Sequence, residues 1–477
     1  MALARASALA RASRARSRRR MTRARADQTG GRGAVGARGI EGATVVFVSW
    51  EWIDARASAA GARTLALVRG CVERGMRVRC VASAGGGEAQ RRRLEEAGAT
   101  TARAEANRGD ALATAIGDEG CDCVVFDRFL AEEAHSARIR ELWPRAARIL
   151  DMQDSHALRR ARARASAAGA DAGEVVGAKP NARDLDQMRE IASIARSDLA
   201  LVCSPVERRW LERECGIDGK KLKTASFFED AVDISKLSDE DFDARRGFVT
   251  IGTFMHKPNV DSVAWLRSEV WPLVRERLPD ATMRVYGSYM TEAHRARFHD
   301  PRNGFELVGF AEDLNDAMSN ARVLLAPLRF GAGIKGKVLD AWKCGTAVVT
   351  TPIGSEGTTP EEEFWHASTS EPIDPDHGWG GYGDVVTASE IADAAVRLHE
   401  DRETWSRARL NGAEIVNRLF SREKNVSDVL DAIEHVVTNI DTVRDDDYVG
   451  QSLWHHTERS TMYFSKWIEL RETGTNT

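Results

Sequence analysis

No stretch of the 477 residues approaches the roughly 20 consecutive apolar positions that a membrane-spanning helix needs. Cysteine is sparse and carries no pairing pattern. The seven residues, Cys71, Cys80, Cys121, Cys123, Cys203, Cys215 and Cys344, form an odd set without a C-x-x-C, which excludes a disulfide scaffold and fits a reducing compartment. In CDCVVFD, strand alternation predicts Cys121 and Cys123 as buried thiols on one face. Neither G-x-S-x-G nor H-E-x-x-H occurs, so hydrolase and zincin readings lack support. With 43% hydrophobic and 29% charged residues and a mean hydropathy of -0.39, the chain is neither collagen-like nor disordered in bulk.

Acid is missing from residues 1–39, which hold eleven arginines and only Asp27. The net charge of -4 therefore averages a basic arm of +10 with a body of -14. An Ala/Arg/Ser-rich, acid-poor start has the composition of an organelle transit peptide. It predicts a plastid or mitochondrial address, with a cytoplasmic protein as the alternative if synthesis begins at Met21. The acidic body offers no second basic surface, so nucleic acid is not an expected partner.

From residue 43 the chain alternates apolar strands with helical stretches. ATVVFVSW, MRVRCVAS, DCVVFDRF, ARILDMQD and LALVCS come first, then, past the charged stretch VDISKLSDEDFDARR, FVTIG, ATMRVYG, FELVG, RVLLAPL and AVVTT. Such alternation predicts an α/β fold of two doubly wound parallel sheets, which bind ligands at the carboxyl ends of their strands. The expected organisation is a tail over 1–39, a first domain over 43–232, a linker over 233–247, a second domain over 248–437 and a helical segment over 438–477.

The most informative stretch is RVLLAPLRFGAGIKGKVLDAWKCGTAVVTTPIGSEG, residues 321–357. It reads as strand, glycine turn, helix and strand. Gly331, Gly333 and Gly336 allow close backbone approach, and the helix that follows offers unpaired N–H groups. Arg329, Lys335 and Lys337 add cations suited to a diphosphate. Asp340, four residues after Gly336, continues on the same helix face, where it is either a hydroxyl acceptor or a surface partner of Lys337. The same glycines satisfy G-x-G-x-x-G, with Glu356 twenty residues on, so an NAD(P)-dependent oxidoreductase is a competing reading.

Together with FVSWEWIDARASAAGARTLAL, GTFMHKPNVDSVAWL and LVGFAEDL, this stretch resembles the family 4-like glycosyltransferases, glycosyl transferases group 1, over almost the whole body. The resemblance implies a GT-B architecture: two Rossmann-like domains facing across a cleft, with a carboxyl-terminal helix crossing back to the first. It also implies a nucleotide-sugar donor, whose diphosphate falls to Gly331, Gly333, Lys335 and Lys337 and whose ribose falls to Asp340. Gly309, Phe310 and Leu314 match the loop that reads the base, although Phe310 equally fits ordinary core. In the first domain Gly61 and Arg63 match the loop facing donor and acceptor, and Asp154 and His156 follow a strand where relatives place a histidine by the sugar. A structural histidine is the alternative. Asp127, Arg128 and Glu132 are similarly placed.

Many relatives carry two glutamates with seven residues between them; here Ala332 and Asp340 occupy those positions. The usual Arg and Lys after the first strand of the second domain are not matched at Thr253 and Pro258, though His256 and Lys257 lie beside them. A non-catalytic GT-B-like binder is thus a further alternative. The implied reaction is retaining and needs neither metal nor cofactor: Lys335, Lys337 and the helix terminus stabilise the departing diphosphate, which takes the acceptor proton. The D-x-D strings at 239–243, 374–376 and 445–447 read as linker or surface, and His377 beside Asp376 is no metal cluster. The acceptor, a glycan, lipid or small molecule, is set by loops such as residues 361–383.

Overall fold

The computed structural model describes residues 39–472 except 57, 86, 109, 239–240 and 360–371; the side chains of 457–459 are also outside it. The arginine-rich tail before residue 39 and residues 361–371 of the 361–383 loop thus lie outside the described residues. Two parallel sheets organise the chain. The first holds β1 (Thr44–Ser49), β2 (Arg77–Ala82), β3 (Thr100–Arg103), β4 (Cys123–Asp127), β5 (Ala147–Gln153), β6 (Leu199–Val202) and β7 (Leu222–Thr224), in the order β3-β2-β1-β4-β5-β6-β7. The second holds β8 (Phe248–Ile251), β9 (Met283–Tyr286), β10 (Phe305–Gly309), β11 (Val323–Ala326), β12 (Ala347–Thr350) and β13 (Gly381–Tyr382), in the order β10-β9-β8-β11-β12-β13.

Both faces of each sheet are buried, which is why the strands read as continuous apolar runs. In β1 the alternation sends Val45 and Phe47 to one core and Val46 and Val48 to the other. In β11 Val323 and Leu325 face one helix layer and Leu324 and Ala326 the opposite one. Cys121 and Cys123 part company with the expectation. Cys123 opens β4 and packs with Cys71 and Cys80, whereas Cys121 precedes the strand and packs on the other side. The alternation cannot extend to a residue that has not yet entered the pleat.

The chain crosses between halves twice, and the crossings lie side by side. Glu229 N–H donates to the Phe420 carbonyl (2.7 Å), and Arg422 N–H donates to the Glu229 carbonyl (2.8 Å). Asn417 exchanges two hydrogen bonds with the Val232 backbone, at 2.7 and 2.9 Å. The first crossing runs through Glu229 and Val232, just ahead of the charged stretch. The second comes earlier than residue 437: helix Arg422–Thr438 seats Val426, Val429, Leu430, Ile433 and Val436 in the first domain's core, among Val45, Leu67 and Val68. Its apolar spacing alone does not say which sheet it covers.

Val429 is fully buried in that core, so Val429→Asp places an unpaired charge there and is expected to destabilise the protein by about 3–5 kcal/mol. Hydrogen exchange should show the protection lost first in β1 and β2, not in β11 and β12. Equal loss in both sheets would mean that the helix does not belong to the first domain.

Candidate functional site

Each sheet reverses its strand order once. The first builds outward from β1 to β3 and then restarts on the other side with β4; the second builds from β8 to β10 and restarts with β11. At such a reversal the loops leaving neighbouring strands diverge and open a crevice. The loop after β11 is the glycine run 331–336, and the loop after β8 carries His256. On the first sheet, residues 50–58 follow β1, and Asp127 ends β4. The site lies where these crevices face each other.

The glycine run enters helix Gly336–Lys343, whose N-cap residue, Lys335, provides no side-chain cap. Val338 N–H in the first turn donates to the Lys335 carbonyl at 2.9 Å, and no side chain caps the turn. Lys337 Nζ donates to Asn259 Oδ1 at 2.8 Å. Burial, reinforced by the neighbouring charge of Lys335, pushes its ammonium down to about 7. Among the described residues no carboxylate forms an ion pair with it. Lys335 instead turns back to the Gly333 carbonyl; burial lowers its pKa, with Glu356 and Glu207 pulling the other way.

The first domain covers this loop. A Cβ on Gly336 would stand 2.5 Å from that of Ala59, and one on Gly333 would stand 3.0 Å from Asp154 Cβ, so both glycines are required by the opposing domain. Gly333 N–H donates to Glu207 Oε1 at 2.6 Å. The Gly331 carbonyl accepts from Arg162 at 2.9 Å, and the same guanidinium binds Glu356 at 2.6 and 3.1 Å. Glu207 is buried, its Oε2 has no partner, and burial together with Asp154 and Glu356 lifts its carboxyl to about 8. Ala332 packs within the first domain's core.

Asp154 and His156 come to the same place. Ser155 caps helix His156–Ala167. Glu190 accepts from Ser155 Oγ (2.8 Å) and His156 N–H (2.6 Å) and so fixes the start of that helix; burial raises its carboxyl to about 7. The His156 ring stands edge-on to Phe129, 5.5 Å between centroids, and 3.9 Å from Asp154. Burial drives it down to about 4, against the pull of Asp154, so the imidazole is neutral at pH 7. Asp154 is paired with Arg159. His256 feels both Asp154 and Lys337, which puts it between the halves. Arg128 and Gln153, at the ends of β4 and β5, hold φ of +63° and +62°, a strain of the kind that collects at functional sites.

Other expected site residues lie elsewhere. Arg63 does not reach a ligand: it is buried, bidentate to Asp151 at 2.7 and 2.8 Å, and bonded to the Ala225 carbonyl. Gly61 is needed by its own loop, because a Cβ there would collide with the Asp54 carbonyl. Arg329 points away from the glycine run, paired with Asp261 and resting 5.6 Å over Trp265. Asp340 pairs with Lys343 at 3.0 Å, not with Lys337. Gly309 ends β10 with φ +115°, Leu314 opens a short helix and packs partly on the core, and Phe310 is an exposed ring facing Arg56 of the first domain at 5.6 Å, not core. Asp374 caps a turn, and Asp376 and Asp447 pair with Arg407 and Lys221. Among the described residues no group of three His, Cys, Asp or Glu is placed to hold a metal ion, and no helix is long and apolar enough to cross a membrane.

Glu207, Arg162, Glu190 and Asn259 were missed. Glu207 had a weaker signal than Asp154: it lies in the first turn of the helix Pro205–Arg213 that follows β6. Arg162 lies in the arginine run HALRRARARASA, and only its burial sets it apart.

The class defined by this fold is GT-B. The structure is similar to HepE of Anabaena in complex with UDP, with a TM-score of 0.57 at 12% identity, covering 82% of this chain and 100% of that one. A glycosyltransferase of Rickettsia africae gives 0.57 at 12%, covering 83% and 98%. Within that class, residues 245–376 match the family Glycosyl transferases group 1. An uncharacterized 44.6 kDa protein in the cps region of Klebsiella pneumoniae is 29% identical over 114 residues, 23% of this chain. The match spans 29% of that relative's length.

A lysine whose pKa falls on folding is a liability wherever its charged form must be kept. With a folded value of about 7 against the usual 10.5, the unfolded chain binds more protons between those pH values, so stability rises with pH across the window. Lys337→Met should therefore be more stable than the parent by a few kcal/mol at pH 6, with the advantage shrinking towards pH 10. Denaturant titrations of both proteins at the two pH values measure this; an advantage independent of pH would show that the charge is not the cause.

Proposed function

We propose that the protein transfers a sugar, with retention of anomeric configuration and without a metal or cofactor, from a uridine diphosphate sugar to an acceptor hydroxyl. The observation that carries this reading is Lys337, a half-buried lysine bonded to an amide oxygen and, among the described residues, to no carboxylate, beside a helix terminus that no side chain caps. That pair of features suits a diphosphate, which would supply negative charge at that terminus. In the reaction the bond between the anomeric carbon and the diphosphate oxygen breaks, and the bond to the acceptor oxygen forms on the same face of the sugar. Lys337, Lys335 and the helix terminus hold the charge that gathers on the leaving diphosphate. The acceptor proton passes to that diphosphate, and neutral His156 lies on the side from which the sugar is approached. The uridine preference is supported by HepE, whose structures hold UDP and UDP-glucose.

The oxidoreductase reading is disfavoured by Glu356. Its carboxylate is bound to Arg162 and is not offered to a ribose, and the glycine run follows the fourth strand of its sheet, not the first. The non-catalytic reading keeps Ala332 as its support. We also propose that the arginine-rich start is an import signal, which fusion of residues 1–39 to a fluorescent protein would test.

In a thermal-shift panel of UDP, GDP, ADP, NAD and NADP, UDP should stabilise the protein most, and stabilisation by a dinucleotide alone would sink the proposal. Lys337→Ala should lower sugar transfer or donor hydrolysis by about 10²–10³-fold, and turnover should survive EDTA. A parent protein that binds UDP but turns over no UDP-sugar would favour the non-catalytic binder.

A further inference from the structure

Helix Arg459–Glu472 lies on the outside of the first domain with its polarity reversed. Successive residues step about 100° around a helix, so Tyr463, Phe464 and Trp467 share one side while Ser465, Glu469 and Glu472 share the opposite one. The polar side is the one that docks. Ser465 is buried, Glu469 pairs with Arg138 at 3.0 Å, Lys466 at the flank pairs with Glu141 at 3.0 Å, and Glu472 lies 3.7 Å from Arg108. The aromatic side faces outward, with Tyr463 63%, Phe464 61% and Trp467 50% exposed. Phe464 and Trp467 stack at 5.9 Å, and the Arg471 guanidinium sits 5.3 Å from the Trp467 ring. A helix on a globular core ordinarily docks its apolar stripe; here ion pairs pin the opposite side.

We propose that this aromatic face inserts into the boundary between headgroups and acyl chains of a lipid bilayer, and so seats the first domain on a membrane surface. Size favours lipid over a second copy of the chain. Three aromatic side chains of roughly 150–250 Å² each, half to two-thirds exposed, offer roughly 300–400 Å², about half of the roughly 800 Å² per partner in a stable protein pair. Chemistry points the same way. Tyr and Trp carry polar tips that suit the headgroup level. Both acids of the helix are spent in ion pairs on the inner side, while Arg471 stays outside, a charge pattern complementary to an anionic leaflet.

The test is sedimentation of the full chain with vesicles of phosphatidylcholine alone, because the arginines of residues 1–39 would draw the protein to anionic vesicles by themselves. The parent should partition onto the vesicles, and Phe464→Ser/Trp467→Ser should lower that partition about tenfold or more with an unchanged thermal melt, both residues being exposed. Arg471→Glu should weaken only the extra binding gained when phosphatidylglycerol is added. Equal partition of parent and double variant, or no partition of the parent, overturns the proposal. So does a dimer in light scattering that the double variant abolishes, which would assign the face to a second copy.

Discussion

A half-buried lysine that pairs with no carboxylate among the described residues is the constraint on which the rest of this site turns. Taking an ammonium out of water costs several kcal/mol unless another group replaces the lost solvation, and Asn259 is the one group that bonds Lys337. The fold tolerates that cost at the reversal point of the second sheet, where β8 and β11 diverge and the glycine run brings a helix terminus to the same spot. Two positive features thus face one crevice. The cost therefore belongs to the site and not to the architecture, which is why removing the lysine should steady the fold while removing the chemistry.

The first domain answers that field with acids. Glu207 and Asp154 gather around a loop of the opposite domain, Arg162 ties that loop to Glu356 of the loop's own domain, and Gly333 N–H donates to Glu207. Burial, with Asp154 and Glu356 adding to it, lifts the Glu207 carboxyl to about 8. The two halves meet directly at this loop, and the paired crossings at Glu229 and Phe420–Arg422 join them side by side.

Much of this was legible in the sequence, and what was not has physical reasons. Continuous apolar runs gave both sheets because a strand buried on two faces needs no alternation to be recognised. The glycine run and its lysines could be read because backbone approach and positive charge are local properties. Arg63 and Arg329 look like phosphate ligands for the same local reason, yet Asp151 and Asp261, distant in sequence, claim them first. Helix Arg422–Thr438 was assigned to the wrong side because an apolar stripe declares that it is covered, not by what. Glu190 and Asn259 act only through contacts with His156 and Lys337, which no spacing announces.

The departure at Ala332 follows from the same arrangement. Its methyl group lies within the first domain's apolar core, next to the amide that Glu207 occupies. A glutamate at that position would bring a further buried carboxylate beside Glu207, Glu356 and Asp154, where burial already holds the Glu207 carboxyl protonated at neutral pH. An acid on the loop and an acid reaching it from the other domain are therefore mutually exclusive in this closed form. The loss of the first glutamate of the pair and the presence of Glu207 are two sides of one electrostatic choice: here the acid beside the glycine run is delivered across the cleft.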